Sequence, residues 1–200
     1  MGYSHGMAWD TARTRQRLLD AAVEEFAEHG PEGARVARVA TRAGINKERI
    51  YQYFGSKEKL FVAVLESELE KVAAAVPLTA EQALDLGDYA GRIFDYHREH
   101  PHFVRLLAWE GLLCQDRVAA ECERTDHYAE KIATVAAAQR GGALTDTVGA
   151  GELMHAVIAL TASWFTLPQL ARMLLAPAGQ GAPEDRREAL VTLVRRLTSA

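Results

Sequence analysis

The stretch from Ala34 to Phe61 constrains the fold of this chain more than any other segment. Four of its apolar residues recur at the three- and four-residue spacing of a helix packed along one side: Val36, Val39, Ala40 and Ala43. Gly44 comes next, and glycine adopts the positive φ of a sharp helix end without steric cost. The stretch therefore predicts a short helix that ends in a tight turn.

A second short helix is predicted from about Lys47 to Phe54, with Asn46 as its N-cap. Ile50 and Phe54 lie one helical turn apart, so both can face the core. The other positions carry cations, phenols and an amide: Lys47, Arg49, Tyr51, Gln52 and Tyr53. Such groups contact phosphates and base edges in the major groove of DNA. The two helices and their turn predict a helix-turn-helix that binds DNA.

Several short motifs in this region have the order and spacing of a known family. They are Val39-Ala40, Ala43-Gly44-Ile45, Ile50-Tyr51-x-Tyr53-Phe54 and Ser56-Lys57-Glu58-x-Leu60-Phe61. They follow a long amphipathic helix, and together they cover roughly residues 12–65. This part of the chain resembles the DNA-binding domain of the tetracycline-repressor (TetR) family of bacterial transcription regulators. Beyond it, only the layout of the chain is similar.

The resemblance implies an all-α homodimer with two domains in each chain. A three-helix, helix-turn-helix DNA-binding domain would span residues 11–57, and a larger helical ligand-binding and dimerisation domain residues 58–200. The composition agrees, because alanine is abundant and no alternating strand pattern occurs. One position departs from the family pattern. Where a Ser or Thr usually opens the second helix, this chain has Ala34-Arg35, and Arg35 is predicted to contact phosphate instead.

The family pattern also implies roles on the DNA side. It implies that Tyr51, Tyr53 and Lys57 contact the DNA backbone. It places four residues at the groove face: Asn46, Lys47, Arg49 and Gln52. Arg or Lys with guanine, and Asn or Gln with adenine, are the pairs that base geometry favours. The alternative is that all these side chains are ordinary solvated surface residues.

The distribution of charge explains how an acidic chain can bind DNA. The 200 residues carry a net charge of −4, but residues 35–59 hold seven Lys and Arg against two Asp and Glu. A local basic patch on an acidic body is expected when one end of a protein contacts DNA. The predicted partner is a double-stranded, pseudo-palindromic operator, because a homodimer presents this patch twice.

The remaining sequence predicts helices throughout. The first is expected from about Ala12 to His29, and a Thr79-x-x-Gln82 capping box predicts a fifth helix that runs to about His100. An eighth helix is predicted over residues 151–176, with a kink at Pro168. Residues 176–183 are predicted to form a flexible loop before the last helix.

Two of these helices predict how the chain dimerises. The eighth is apolar on two neighbouring faces, and a helix that buries two faces needs two partners. The last helix, from about Glu184 to Leu197, has one apolar stripe. With the family layout, these features predict a four-helix dimer interface containing Leu153, Val157, Leu160, Leu190, Leu193, Val194 and Leu197. The alternative is that the eighth helix is the central helix of a monomer.

Large side chains, most of them aromatic, are spread over the body helices. They are Tyr96, Phe103, Trp109, Tyr128, His155, Trp164 and Phe165. Aromatic residues with a few polar groups line pockets for apolar ligands, but they also build ordinary cores. Together with the family layout, they predict a site for an unknown small-molecule effector that is apolar or aromatic.

Other chemistry has little support in the sequence. His97, His100 and His102 suggest a metal site, but Pro101 breaks the helical spacing that would bring the imidazoles together. We therefore predict surface histidines, no metal and no other cofactor. No catalytic motif occurs, so the chain is not predicted to be an enzyme.

Cysteine usage and hydropathy predict a cytoplasmic protein. Cys114 and Cys122 form no CxxC pattern, and the N-terminus lacks a stretch typical of a signal peptide. Residues 153–171 carry no charge, which raises the possibility of a membrane span. Their polar residues and the lack of a basic N-terminal flank favour a buried helix without membrane contact.

The sequence thus favours a ligand-responsive transcription regulator, specifically a repressor that a small apolar or aromatic molecule releases from its operator. The alternative from another class is a small-molecule carrier or an enzyme whose basic helix is incidental. Activation of transcription is a third possibility, since it differs from repression in where the operator lies relative to a promoter.

Overall fold

The computed structural model describes residues 4–113, 119–176 and 183–200, without the side chains of residues 4–10 and 183. These residues contain helices and turns but no strand, which confirms the predicted all-α class. The helices are α1 (Ser4–Gly33), α2 (Val36–Ala43), α3 (Lys47–Phe54), α4 (Lys57–Ala75), α5 (Leu86–Glu99), α6 (Pro101–Leu113), α7 (Glu121–Arg140), α8 (Ala150–Thr166), α9 (Pro168–Leu175) and α10 (Pro183–Thr198). Cys114 and most of the predicted loop at 176–183 lie outside the described residues.

The chain divides into two compact units. Unit 1 comprises Met1–Lys71 and Arg105–Ala120, and unit 2 comprises Val72–Val104 and Glu121–Ala200. The core of unit 1 includes Leu60 and Phe61 of α4 together with Leu106 of α6. Unit 1 therefore extends beyond the predicted domain end at residue 57, because the apolar face of α4 is needed to close the core over α1, α2 and α3.

In unit 2, α10 packs closely along α5. A Cβ atom at Gly87 would lie 2.8 Å from the Val191 carbonyl oxygen, and one at Gly91 would lie 2.8 Å from Arg187 Nη2. These two glycines, one helical turn apart, allow the close approach of the helices. Two ion pairs also join α5 or its N-cap to α10: Arg187 to Asp95 and Arg195 to Asp85, each at 2.7 Å.

The predicted capping box forms, but it does not open the long helix expected from Thr79. The Thr79 N–H donates to Gln82 Oε1 at 2.9 Å, and the Gln82 N–H donates to Thr79 Oγ1 at 3.2 Å. Only a 3₁₀ turn over Gln82–Leu84 follows. The helix begins anew after Asp85, whose carboxylate caps α5 by accepting from the Asp88 N–H at 3.2 Å and also binds Arg195.

The uncharged stretch at 153–171 is divided between two helices. Proline cannot continue an α-helix without losing a hydrogen bond, and Pro168 stands at the start of α9. The axes of α8 and α9 differ by 83°. Among the described helices, none is by itself long and apolar enough to cross a membrane. Taken together, α8 and α9 meet that criterion by length and composition only. Five residues of α8 are buried, whereas none of α9 is, so the prediction of one buried helix is correct only for one face of α8.

Candidate nucleic-acid interface

The predicted turn between α2 and α3 has left-handed backbone geometry at its glycine. Gly44 has φ 62° and ψ 37°, and the Ile45 N–H donates to the Ala40 carbonyl at 3.0 Å. A side chain at this φ would be strained, which explains the choice of glycine. Arg17 of α1 donates to the Ala43 carbonyl and so helps to satisfy the end of α2. The two helices are therefore fixed at a sharp angle to each other.

A buried carboxylate of α1 binds the backbone at the start of α2, where the N-cap residue lacks a hydroxyl. Arg35 occupies the N-cap position and makes no side-chain capping bond. Glu25 of α1, only 1% exposed, accepts from the Arg35 N–H at 2.8 Å and pairs with Arg38 Nη2 at 2.6 Å. This role was not predicted from the sequence, although Glu25 stands on the apolar stripe of α1 between Ala22 and Phe26, where a carboxylate needs a partner.

Glu25 holds α1 and α2 together, so Glu25→Ala should lower the free energy of unfolding by about 1–3 kcal/mol, because it orphans buried hydrogen-bond donors. Denaturant titration measures the change. Glu28→Ala is the control, since Glu28 is 62% exposed on the same helix. Equal effects of the two substitutions would contradict the role of Glu25.

The pH dependence of this contribution follows from the pKa of Glu25. Burial raises that pKa, but the hydrogen bonds from Arg38 and the Arg35 N–H lower it by more, so the net shift is downward. The stabilisation is therefore present above the pKa of the unfolded chain, and it is lost as the pH falls through the lower pKa of the folded state.

Helix α3 has the two-sided character that the sequence predicts. Ile50 and Phe54 are buried, and Asn46 caps the helix by accepting from the Glu48 N–H at 3.5 Å. Four of the predicted DNA-contacting side chains are exposed on α3: Lys47, Arg49, Tyr51 and Gln52. Tyr53 is half-buried, because its ring packs on the core beside Phe54.

Of the two remaining residues predicted to contact the DNA backbone, Lys57 has hydrogen-bond partners within the chain. Lys57 Nζ donates to the Glu32 carbonyl at 3.1 Å and to the Ala34 carbonyl at 3.4 Å, so it bridges α4 to the end of α1. The Arg35 side chain is exposed. Lys57 therefore has a structural role that the sequence does not reveal, since its ammonium group binds two backbone carbonyls. A phosphate would compete with these carbonyls for Nζ or add to them.

Ion pairs within the chain reduce the number of basic side chains in residues 35–59 that are available to contact DNA. Arg38 pairs with Glu25, and Arg42 pairs with Glu24 at 3.3 Å. Lys47 and Arg49 have no carboxylate partner among the described residues. An exposed helix with two unpaired cations, a phenol and an amide can neutralise phosphates and donate to base edges.

The predicted dimer residues separate into two groups. Leu153, Val157, Leu190 and Val194 are buried in the core of unit 2, where they cannot present a surface to a partner. Leu160, Leu193 and Leu197 are 40%, 57% and 46% exposed. Helix periodicity predicts that the four apolar residues of α10 share one face. The packing of α5 and α8 against α10 decides which of them are buried, namely Leu190 and Val194.

The structure brings four of the seven predicted ligand-lining residues into one aromatic cluster. The ring centroid of Tyr96 lies 5.8 Å from that of Phe103. Phe94, which is not among the predicted residues, has its ring centroid 6.5 Å from that of Trp164 and 5.0 Å from that of Phe165. The other three lie elsewhere. Tyr128 and His155 are exposed, and Trp109 belongs to unit 1, where its indole ring packs on Gly30.

His97 joins this cluster, which corrects the prediction of a surface histidine. Its ring lies 5.9 Å from Phe103 and 5.4 Å from Phe165, and the residue is 5% exposed. Burial lowers the pKa of His97 to about 4, so its imidazole is neutral near pH 7. His100 and His102 are half-buried, with ring centroids 5.8 Å apart. Within the described residues, no three His, Cys, Asp or Glu side chains are grouped as metal ligands.

An open pocket of about 180 Å³ lies on α8 and α9. Its lining residues are Ser163, Trp164, Leu167, Leu170, Ala171, Leu174 and Leu175. Trp164 is shared with the aromatic cluster, so the cluster and the pocket are continuous through one side chain. The pocket is smaller than the ~300 Å³ typical of sites that enclose a drug-sized ligand.

Comparison with known proteins yields matches over both units. The family described as "Bacterial regulatory proteins, tetR family" matches residues 18–64, and "Tetracyclin repressor-like, C-terminal domain" matches residues 85–196. The HTH-type transcriptional repressor SCO4008 of Streptomyces coelicolor is 38% identical over 95% of this chain and 97% of its own length. The HTH-type transcriptional repressor NicS of Pseudomonas putida is 41% identical over 50% of this chain and 49% of its own.

A solved structure agrees with these sequence matches. The crystal structure of the regulator SCO4942 from Streptomyces coelicolor has a TM-score of 0.82 and 34% sequence identity to this chain. The similarity covers 92% of this chain and 98% of the other.

Proposed function

Because the chain belongs to the TetR family of bacterial transcription regulators, we propose that it is a homodimeric repressor that a small molecule releases from its operator. The exposed surface of α3 is the observation that carries this proposal. A regulator of this family is not an enzyme, so the enzyme alternative is excluded. The name of the relative SCO4008 supports repression. Action on bacterial DNA would place the protein in the cytoplasm.

On the DNA, Lys47, Arg49 and Gln52 would meet base edges, while Tyr51 would contact phosphate. Asn46 would extend the groove face from its capping position, and Arg35, Tyr53 and Lys57 would complete the backbone contacts. The two copies of α3 in a dimer would enter successive major grooves about 34–36 Å apart. This spacing requires a pseudo-palindromic operator, since each subunit presents the same surface.

The dimer would form through the exposed apolar residues of α8 and α10. Leu193 and Leu197 lie one turn apart on α10, and Leu160 is exposed on α8, which packs against α10. Exposed leucines grouped on neighbouring helices are typical of a protein interface. We propose no metal and no cofactor. Besides DNA and the second subunit, the proposed partner is the small-molecule effector.

The effector would bind unit 2 at the aromatic cluster of Phe94, Tyr96, His97, Phe103 and Phe165, and would enter beside Trp164. The buried, neutral His97 supplies a polar atom within an apolar surround, which suits a small molecule that is mostly apolar or aromatic. Such a ligand releases DNA only if it binds the DNA-free conformation more tightly than the DNA-bound one.

Gel-shift titration of the dimer against the DNA upstream of its own gene tests the central proposal. We expect one specific complex on a pseudo-palindromic segment, and a scrambled segment of equal length should bind far more weakly. A reporter under the same upstream DNA distinguishes repression, in which deletion of the gene raises expression, from activation. Equal binding to scrambled DNA would contradict the proposal.

A further inference from the structure

Two cations of unit 2 converge on the ring of Tyr89. The Arg92 guanidinium carbon lies 5.5 Å from the ring centroid, and Lys131 Nζ lies 5.3 Å from it. Lys131 Nζ also donates to the Tyr89 hydroxyl at 2.9 Å. Tyr89 and Arg92 belong to α5 and Lys131 to α7, so tertiary packing alone brings these charges together.

The same two side chains hold consecutive carbonyls at the end of α4. Lys131 Nζ donates to the Val76 carbonyl at 3.4 Å, and Arg92 Nη1 donates to the Pro77 carbonyl at 2.8 Å. Neighbouring carbonyls keep the two cations close to each other. The site therefore lies where the chain leaves α4, the helix that begins in unit 1.

The two cations of this cluster, Arg92 and Lys131, are paired with only one carboxylate, that of Asp88, among the described residues. Lys131 is 9% exposed, and its two hydrogen-bond acceptors are neutral. Burial, and then the nearby Arg92 charge, lowers the pKa of Lys131 to about 8. The carboxylate of Asp88 is bound to Arg92 Nε at 3.0 Å. A buried cation is costly unless an anion compensates it.

Two further nitrogens of the cluster are shielded from solvent and lack a hydrogen-bond partner. They are Arg92 Nη2 and His127 Nε2, neither of which has a hydrogen-bond partner among the described residues. His127 lies one turn before Lys131 on α7. Burial and the Lys131 charge lower the pKa of His127, while Glu130 raises it, and the net shift is downward. A neutral imidazole can still donate from Nε2.

We propose that Arg92, His127 and Lys131 bind the acidic group, a carboxylate or a phosphate, of the small-molecule effector. An anion there would accept from both unpartnered donors and compensate the buried ammonium. Guanidinium and ammonium groups are the usual protein partners of these anions. The inference deepens the proposed function, on which it rests, because it gives the apolar or aromatic effector an acidic group.

A purely structural role explains only part of the geometry. Lys and Arg side chains often bond to the last carbonyls of a helix and interact favourably with its dipole. That role accounts for Lys131 Nζ and Arg92 Nη1. It does not explain why Arg92 Nη2 and His127 Nε2 are buried without a hydrogen-bond partner. Buried polar groups in native proteins are nearly always hydrogen-bonded, so these two call for an explanation.

Calorimetric titration of the full-length protein tests the site. The probes are benzoate, its neutral amide benzamide and inorganic phosphate, at constant ionic strength and without DNA. The variants are Lys131→Met and the less buried Arg92→Gln, with circular dichroism to establish that each folds. Arg140→Gln is the control, because it removes one charge from an exposed position of α7.

We expect benzoate, phosphate or both to bind the unsubstituted protein, and each site variant to bind that anion about tenfold more weakly, since a hydrogen bond to a charged group is lost. Arg140→Gln should bind as the unsubstituted protein does, and benzamide affinity should not respond to the site variants. Binding of benzoate alone identifies a carboxylate group in the effector, and binding of phosphate alone identifies a phosphate group.

Failure of both anions to bind at millimolar concentration would overturn the inference. So would equal affinity of the unsubstituted protein and of a folded site variant. The measurement contains no DNA, so its outcome is separate from that of the operator titration. A neutral ligand that releases DNA, combined with no anion binding, would reject the anion site and keep the proposed repressor.

Discussion

Operator binding by the Leu193→Glu variant is expected to be about 10²–10⁴-fold weaker than that of the unsubstituted protein, because two linked half-site contacts become separate ones. Leu193 is 57% exposed on α10, and a carboxylate at this position would be buried without a partner if the proposed interface formed. Sedimentation should show a monomer at micromolar concentration, while circular dichroism should remain helical.

Leu84→Glu is the matched control for this experiment. Leu84 is also 57% exposed, but it lies in the 3₁₀ turn after α4, outside the proposed interface. It should remain a dimer and bind the operator normally. A dimeric Leu193→Glu variant would place the interface elsewhere, and an unsubstituted protein that is monomeric at micromolar concentration would reject the homodimer.

The second large effect is expected from Arg49→Ala. If Arg49 donates both guanidinium hydrogen bonds to one guanine, its loss should cost about 1–3 kcal/mol in each half-site, and so about 2–6 kcal/mol across the dimer. Preference at that base pair should relax as well. Binding to an operator in which each base pair is varied in turn measures both quantities.

Arg140→Ala removes an equal charge from unit 2 and should leave affinity and base preference unchanged. A uniform loss of affinity for every sequence in the Arg49→Ala variant would instead assign Arg49 to a phosphate. Unchanged affinity and unchanged preference would remove Arg49 from the interface. Because α3 exposes both Lys47 and Arg49, the same titration on Lys47→Ala would then identify which cation reads the groove.

Sequence periodicity predicted α2, Gly44 and α3 well because their structure is set locally. The spacing of Val39, Ala40 and Ala43 defines the buried face, and Gly44 alone fits the left-handed turn. It predicted the fifth helix poorly. The Thr79 capping box is a local signal and it forms. The helix nevertheless begins after Asp85, which caps α5 and pairs with Arg195, more than a hundred residues later in the chain.

Spacing within a few turns of one helix was enough to predict the helical class, the helix-turn-helix and the exposed face of α3. Packing between helices, in contrast, brought Glu25 to the start of α2 and joined Lys57 to α1. The same packing made Leu190 and Val194 part of the core and left Leu193 and Leu197 at the surface. It alone brought Arg92 to Lys131. These outcomes depend on which helices pack together, and a pattern along one helix carries no information about the side chains of its neighbour.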